Sequence, residues 1–436
     1  MPRDEQEGRT GGFTRSLGLL EVTASGITII VGAGIFVLIG PATAQAGALV
    51  WVSFLVAAAL SALTALSYME LASMYPRAGS EFEFARQVFP PWIAFTVGWS
   101  MAAALVVAAA TVAVGFARYA AYFVGADQRI VAGTVVVAAT AATWRGMGSA
   151  SRLIVPLAVL QVGGLVLIAA VGVPSLGEVD LLDGAGVGGV LGAAALVFFA
   201  YIGFDEVVTL AEETRNPRRT IPAALFLSLA VASAIYVAVA ATAVSVLGPE
   251  ALATSERPLA DVVAGAIGDG ATAAVTSLSM VTTFTTVILI VTAASRMVYS
   301  LAGEGFLPAA FATVAGGRAP RNAIAAVAGS AVALTALGDL GVLASATDAL
   351  VFATFVVTNV VLVVLRIKRP GAERPFRVPL SIGRVPVLPV VAFAATVALA
   401  GRLEPDAMLL AGGLAASGAV IGLVRRQRRG SGGAAR

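Results

Sequence analysis

The composition of this 436-residue chain is typical of a protein that sits in lipid rather than in water. Apolar residues make up 58% of the chain and charged residues only 12%, against roughly a quarter charged in ordinary soluble domains. The chain has no Cys and no His, which excludes disulfides, thiolate nucleophiles and metal sites built from those side chains. We therefore expect no metal, no cofactor and no enzymatic activity, and any proton transfer must use Asp, Glu or Tyr.

Apolar runs separated by short charged loops follow one another along the chain. A helix needs about 20 residues to cross the hydrocarbon of a bilayer, and about twelve runs are candidates. They lie at 17–46, 48–71, 92–122, 130–144, 153–173, 188–211, 222–247, 271–300, 321–338, 343–366, 385–401 and 406–424. The pattern predicts an all-α integral membrane protein of about twelve transmembrane helices.

The positive charges indicate how these helices are oriented. Cytoplasmic loops of membrane proteins are enriched in Lys and Arg, whereas Asp and Glu contribute little to orientation. With the amino terminus inside, only Arg118, Arg129, Arg257 and Arg402 of the 28 Lys and Arg residues fall in outer segments. The sequence therefore predicts that both termini are cytoplasmic and that the protein lies in the plasma membrane.

The first apolar run contains the sequence VGAGIF, in which Gly32, Ala33 and Gly34 interrupt an otherwise apolar helix. Small residues also allow neighbouring helices to pack closely, so this feature alone is ambiguous. If the helix unwinds here, main-chain N–H groups lose their helical partners and the following half-helix begins with a partial positive charge. Such a break suits a carboxylate.

The sixth run contains a second interruption, FFAYIGFDE, with Gly203 beside Asp205. A break here leaves free carbonyl groups, which suit an ammonium group. Phe199 and Tyr201 are candidates for the surrounding pocket, although both are equally compatible with helix packing. Together the two breaks predict a site for a small zwitterion.

The two interruptions fall at matching places in two units of five runs each, 17–173 and 188–366. The second unit begins on the opposite side of the membrane from the first, so the units are inverted. Interrupted helices at matching positions of inverted repeats indicate a transport site near the middle of the bilayer. The remaining segments are 1–16 at the amino end, the last pair of helices at 385–424 and the basic tail 425–436.

These motifs resemble those of the amino acid–polyamine–organocation superfamily of transporters. The resemblance rests on VGAGIF, PRAGSEFEFAR, FFAYIGFDEVVTLAEETRNPRRTIP, SRMVYSLAGEGFLP and RPFRVP in this order. It implies the LeuT-like fold of five plus five inverted helices, broken in helices 1 and 6, with two further helices at the carboxyl end. It also implies substrate-binding positions at Ile30, Gly32, Ala33 and Gly34 for the carboxylate, at Phe199, Ala200 and Ile202 for the amine, and at Phe199 for closure over the substrate.

The coupling ion remains open at this stage. Asp205 is a candidate proton carrier, because a carboxylate inside a membrane is costly and has a neutral form available; the alternative is that it caps the half-helix. Some relatives in the superfamily have a Lys in helix 5 where this chain has Gln161, which cannot carry a proton. Thr292 and Ser295 are weak candidates for a sodium site, because hydroxyl groups commonly bond to their own helix instead.

The inner loops have simpler interpretations. PRAGSEFEFAR predicts a short amphipathic helix that offers Phe82 and Phe84 to the membrane or the bundle. The basic segment RIKRPGAERPFRVP and the final RRQRR are expected to interact with anionic lipid headgroups. We expect no nucleic-acid partner.

Taken together, the sequence predicts a secondary active transporter of amino acids that works by alternating access, with proton symport or exchange favoured over sodium coupling. A carrier of polyamines or other organic amines is the alternative within transporters. A channel is the alternative outside them, and the sparse intramembrane polar residues disfavour it.

Overall fold

The computed structural model describes residues 17–75, 80–144, 151–314 and 320–433, and the described chain is almost entirely helical. The helices are α1 (Leu19–Ile30), α2 (Gly34–Ala46), α3 (Val50–Met74), α4 (Ser80–Ala85), α5 (Pro91–Ala120), α6 (Gln128–Trp144), α7 (Ser151–Gly172), α8 (Gly186–Val197), α9 (Pro217–Thr254), α10 (Pro258–Ile267), α11 (Thr272–Gly303), α12 (Arg321–Thr335), α13 (Leu340–Lys368), α14 (Val387–Ala400) and α15 (Pro405–Gly433). Short 3-10 segments include Phe198–Tyr201 and Asp205–Glu212, and a two-stranded hairpin joins β1 (Ser381–Ile382) to β2 (Val385–Pro386).

Among the described residues, 8 helices are long and apolar enough to cross a membrane, and α1 with α2 forms a further candidate bent by 42° at its break. This confirms the all-α membrane class. The predicted runs at 130–144, 321–338 and 385–401 form the shorter helices α6, α12 and α14. The full count of twelve crossings and the inverted repeat stay predictions.

Helix α5 lies at the centre of the bundle. It packs against α11, α13, α15, α6, α12 and α4, while α3 and α1 pack against α9 and α2 packs against α8. The sequence of α5 is rich in Ala and Val, and small side chains allow helix axes to approach closely in a bilayer. Helices α1 and α2 contribute an almost continuous series of buried residues from Ile30 to Gly40, so the first break lies inside the bundle.

The predicted amphipathic helix is present as α4, although residues 76–79 of its motif lie outside the described residues. Phe82 and Phe84 are buried in the bundle and therefore do not face lipid. Glu81 and Glu83 are buried as well, which an amphipathic pattern does not predict. Helix α4 packs against α5, α13 and the Asp205–Glu212 segment.

The basic segment at the end of α13 and in the following loop is held by a buried acidic residue. Glu70 on α3 is fully buried and accepts from Arg366 Nε at 2.9 Å, and Arg374 Nε lies 3.1 Å from the same carboxylate oxygen. The backbone N–H of Val378 donates to the other oxygen at 2.8 Å. The expectation that this segment lies on lipid headgroups is therefore wrong for Arg366 and Arg374, while Lys368 is exposed.

Candidate functional site

The first break separates α1 from α2 at residues 31–33. The leading N–H groups of α2 have no carbonyl four residues earlier within their own helix, so they are available to a ligand. Gly34 begins α2 at a place where the two broken helices nearly touch. A Cβ atom on this residue would lie 2.4 Å from Cα of Ala200, so only glycine fits.

The second break follows α8. The chain forms the 3-10 turn Phe198–Tyr201, leaves helical geometry, and resumes as the 3-10 segment Asp205–Glu212. Gly203 has a φ of +112°, a backbone conformation that glycine adopts far more readily than other residues. A Cβ atom here would also lie 2.4 Å from Cγ2 of Ile29. The second break is therefore packed directly against the end of α1.

A narrow cavity with a volume of about 40 Å³ lies between the two breaks. It is lined by Ile29, Ile30, Gly32, Ala33, Gly34, Leu105, Ala108, Phe199, Ala200, Ile202, Gly203, Glu206, Thr286, Leu289 and Ile290. All seven residues that the family resemblance suggested for substrate binding are in this set. The structure therefore brings them together around one space, and their role in binding remains a prediction.

The far wall of the cavity was not foreseen from the sequence. Leu105 and Ala108 come from α5, and Thr286, Leu289 and Ile290 come from α11. Nothing in an apolar helix marks the face that borders a cavity, because lipid-facing and cavity-facing positions use the same residues. Most of this wall is apolar, and the Thr286 hydroxyl and the Glu206 carboxyl add polar groups.

Tyr236 on α9 joins the two breaks from behind the cavity. Its hydroxyl donates to the carbonyl oxygen of Ile30, where α1 ends, and lies 3.0 Å from the carbonyl oxygen of Ala200. The side chain is fully buried. One hydroxyl group therefore lies within hydrogen-bond distance of a main-chain carbonyl from each broken segment. Tyr201, which the sequence suggested for the pocket, instead donates its hydroxyl to the carbonyl of Phe54 at 3.0 Å and does not line the cavity.

Asp205 lies just behind the second break and does not line the cavity. Its Oδ1 atom accepts the N–H of Gly203 at 3.1 Å, so the carboxyl group caps the turn as the alternative interpretation anticipated. The segment that begins at Asp205 packs against α4. Glu206 is the acidic residue that reaches the cavity wall. The cap is compatible with proton transfer, because one carboxyl oxygen can accept the N–H of Gly203 while the other oxygen binds or releases a proton.

The remaining coupling candidates lie elsewhere. Gln161 on α7 is buried, and its amide group has no hydrogen-bond partner among the described residues. Thr292 donates to the carbonyl of Ile288 at 2.7 Å and Ser295 donates to the carbonyl of Thr292 at 2.8 Å. Both hydroxyls bond to their own helix, and neither borders the cavity.

Sequence reasoning overlooked Asp348. This residue is fully buried in α13, a helix that packs against the Phe198–Tyr201 turn, and neither oxygen of its carboxyl group has a hydrogen-bond partner among the described residues. The available signal was a single Asp within the apolar run 343–366, because an ionisable residue inside a membrane segment is by default a functional candidate.

Comparisons with known proteins agree with this geometry. Residues 17–411 match the model of the amino acid permease family. The chain is 32% identical to the branched-chain amino acid permease BcaP of Bacillus subtilis, over 87% of this chain and 86% of that protein. It is 28% identical to the methylthioribose transporter of Bacillus subtilis, over 88% and 87%, and 26% identical to BcaP of Lactococcus lactis, over 92% of each. The chain therefore belongs to the amino acid permease family, a group of multi-pass membrane transporters within the amino acid–polyamine–organocation superfamily.

Proposed function

We propose that this permease carries neutral, apolar amino acids as zwitterions that bind between the two broken helices and cross by alternating access. The observation that carries the proposal is the shared cavity of the two breaks, which the VGAGIF and FFAYIG motifs line together. Donor N–H groups at the start of α2 suit the substrate carboxylate. Main-chain carbonyls around Phe199, Ala200 and Ile202 suit the substrate ammonium group.

The apolar wall supports the choice of side-chain class. Leu105, Ala108, Leu289 and Ile290 face the cavity, and they suit an aliphatic side chain because burying it removes apolar surface from water. The name of the BcaP relatives, branched-chain amino acid permeases, supports the same class.

An organic amine or cationic amino acid is the second candidate. The specific observation in its favour is Glu206, an acidic residue that lines the same cavity. One relative, at 27% identity, is the cationic amino acid transporter 4 of Arabidopsis thaliana. We favour the neutral class because the rest of the wall is apolar.

We infer that a proton drives accumulation and that Asp205 takes part in carrying it. Asp205 is buried in the bundle, next to the break that must rearrange during transport. Sodium coupling through Thr292 and Ser295 receives less support, because both hydroxyl groups donate to carbonyls of their own helix.

We further infer a LeuT-like arrangement of the units 17–173 and 188–366, followed by helices at 385–424, in the plasma membrane with both termini cytoplasmic. Two features support it. The broken pair α1 and α2 and the broken segment after α8 occupy corresponding places in the two units. The distribution of Lys and Arg along the sequence supports the orientation.

Uptake into liposomes by the purified protein tests the proposal. Labelled leucine, lysine and putrescine are supplied separately, under an imposed pH gradient or an imposed sodium gradient. We expect saturable leucine accumulation driven by the pH gradient, with counterflow when the vesicles are preloaded with leucine. Putrescine or lysine accumulation without leucine accumulation would support the second candidate, and conduction without counterflow would indicate a channel.

Asp205→Asn tests the proton assignment in the same vesicles. Asn keeps an oxygen that caps Gly203 but does not titrate, so we expect exchange to continue and pH-driven accumulation to stop. Asp348→Asn is the matched control, since it neutralises another buried carboxyl beside the same break. Loss of acid-driven uptake in the Asp348 variant alone would transfer the role to that residue.

A further inference from the structure

A groove on the outside of the bundle lies between the first turns of α6 and the last turns of α12. It has a volume of about 480 Å³. Each helix contributes residues three and four positions apart, which lie on one helical face. The lining residues are Arg129, Ile130, Gly133, Thr134 and Val137 of α6 with Val332 and Thr335 of α12 and Ala336 after it. None of them lines the cavity between the two breaks, so the groove is a separate space.

The surface of the groove is apolar even where its residues carry hydroxyl groups. The Thr134 hydroxyl donates to the carbonyl of Ile130 at 2.8 Å, within its own helix. The Thr335 hydroxyl likewise donates to the carbonyl of Val332 at 2.7 Å. Ile130 and Val137 are 67% and 60% exposed. Covering such side chains with hydrocarbon is favourable, so the groove suits an apolar occupant.

Arg129 places a positive charge at the end of this apolar groove. Its side chain is exposed and has no hydrogen bond or ion pair with the residues that the structure describes. The guanidinium group lies over the turn after α12, where a Cβ atom on Gly338 would come within 3.3 Å of its Nε atom.

The two carboxylates next to this turn and to the start of α6 serve as helix caps. Asp127 accepts the backbone N–H of Arg129 at 2.8 Å. Asp339 accepts the backbone N–H of Val342 at 3.0 Å. The guanidinium group of Arg129 is therefore available to an anion from outside the chain.

The start of α6 carries the side chains of a membrane surface. The preceding loop exposes Tyr122 and Phe123, whose rings meet edge to face at 4.9 Å. Aromatic residues concentrate at the level of the lipid headgroups. In the proposed twelve-helix arrangement α6 and α12 cross the bilayer, which places Arg129 at the headgroups and the groove along the acyl chains. The inference rests on the proposed function for this placement alone.

The size of the groove selects among apolar occupants. A helix rises about 10 Å from Ile130 to Val137. The volume of about 480 Å³ spread over that length gives a cross-section of roughly 50 Å². A helix with its side chains is about 10 Å across, with a cross-section of roughly 80 Å², and does not fit inside the groove. An extended acyl chain is thinner and fits.

We propose that this groove binds one phospholipid, with an acyl chain between α6 and α12 and the phosphate group on Arg129. A guanidinium and a phosphate form paired, charge-assisted hydrogen bonds. The chain covers Ile130 and Val137 and removes their apolar surface from water. Because the site contacts both a phosphate and a chain, it distinguishes a phospholipid from a diacylglycerol.

Photolabelling in liposomes tests the site. The vesicles contain a trace of phosphatidylglycerol with a photoreactive diazirine in one acyl chain, or of diacylglycerol with the same chain, and mass spectrometry identifies the labelled peptides. We expect phosphatidylglycerol to label residues 130–137 and 332–336 about tenfold more than diacylglycerol does, the effect of one charge-assisted hydrogen bond. Val159 and Leu167 on α7 are exposed and report the unselected lipid around the protein. They should show no such preference.

Variants separate the charge from the space. Arg129→Gln should lower phosphatidylglycerol labelling of the groove to the diacylglycerol level, because the phosphate loses its partner. Arg402→Gln is the matched control and should keep the labelling, since Arg402 is also exposed but does not line the groove. Gly133→Leu should exclude both lipids from the groove. A Cβ atom there meets Val332 only at 3.8 Å, so the larger side chain fits and extends into the open space.

Equal labelling of the groove by the two lipids, or unchanged labelling in the Arg129→Gln protein, would overturn the site. Absence of labelling by either lipid would also overturn it, because another chain or water would then cover the groove. Unchanged labelling of α7 shows that each variant is folded. Selective labelling in a protein that accumulates no amino acid would retain the lipid site and reject the proposed function, whereas leucine accumulation without selective labelling would do the reverse.

Discussion

The hydroxyl group of Tyr236 donates a hydrogen bond to the carbonyl oxygen of Ile30, the residue at which the first broken helix ends. The same hydroxyl lies 3.0 Å from the carbonyl of Ala200 in the second break. Helix α9 thus holds the two breaks at a fixed separation, although Tyr236 itself does not border the cavity. The geometry of the candidate site depends on a residue outside both motifs.

Replacing Tyr236 with Phe should weaken substrate binding while the protein still folds. The change removes the hydroxyl that donates to the carbonyl of Ile30 and lies beside that of Ala200, and loss of a buried hydrogen bond costs about 1–3 kcal/mol. We expect about a tenfold rise in the leucine dissociation constant, since a factor of ten corresponds to ~1.4 kcal/mol. Equilibrium binding of labelled leucine to the purified protein measures it.

Tyr119→Phe is the control for that change. Tyr119 is equally buried and donates its hydroxyl to the carbonyl of Phe36 on α2 at 2.8 Å, so it bonds to one broken segment and does not join the two. An equal loss of affinity in both variants would mean that the effect is general destabilisation and not the positioning of the carbonyls.

Gly34→Ala should abolish substrate binding. The added Cβ atom would lie 2.4 Å from Cα of Ala200, so the two broken helices must separate and the cavity must change shape. We expect no measurable leucine binding and a lower melting temperature. Gly163→Ala is the control, because a Cβ atom there meets no atom within 4 Å; it should bind normally. Normal affinity in the Gly34 variant would place the substrate elsewhere.

Glu70→Gln should destabilise the protein strongly. The carboxylate pairs with Arg366 and Arg374 in a buried site, and breaking a buried ion pair by removing one partner costs about 3–5 kcal/mol. Thermal unfolding in detergent should show a large fall in melting temperature. Glu373→Gln provides the comparison, because its pair with Arg218 is largely exposed and should contribute at most about 1 kcal/mol. Equal effects of the two substitutions would contradict the structural role of Glu70.

Ala108→Leu should change the preference for substrate size. Ala108 lines the cavity on α5, and a larger side chain there occupies space that a branched substrate needs. We expect uptake of leucine to fall more than uptake of alanine, so the ratio of their kcat/KM values should decrease. Because both substrates are measured on the same protein, a general loss of activity lowers both kcat/KM values and leaves their ratio unchanged. A constant ratio would mean that α5 does not contact the substrate side chain.

The chemistry of the two breaks was predictable because it is local. Gly32 and Gly34 in VGAGIF and Gly203 in FFAYIG weaken the helix wherever they occur, and the structure has breaks at both places.

Phe82 and Phe84 were also assigned to a short helix correctly, but the sequence did not predict the burial of Glu81 beside them. An amphipathic pattern assigns acidic residues to water, and only the contact with Tyr68 reverses that assignment.

Composition and local pattern by themselves determined that this chain is a helical membrane protein and where two of its helices break, because hydrophobic length and glycine act within a single segment. Tertiary structure alone decided that Tyr68 meets Glu81, that Glu70 holds Arg366 and that Tyr236 reaches Ile30. Each of these pairs joins residues from different helices. In a chain whose lipid-facing and core-facing positions are both apolar, no periodic signal indicates which polar side chains will meet.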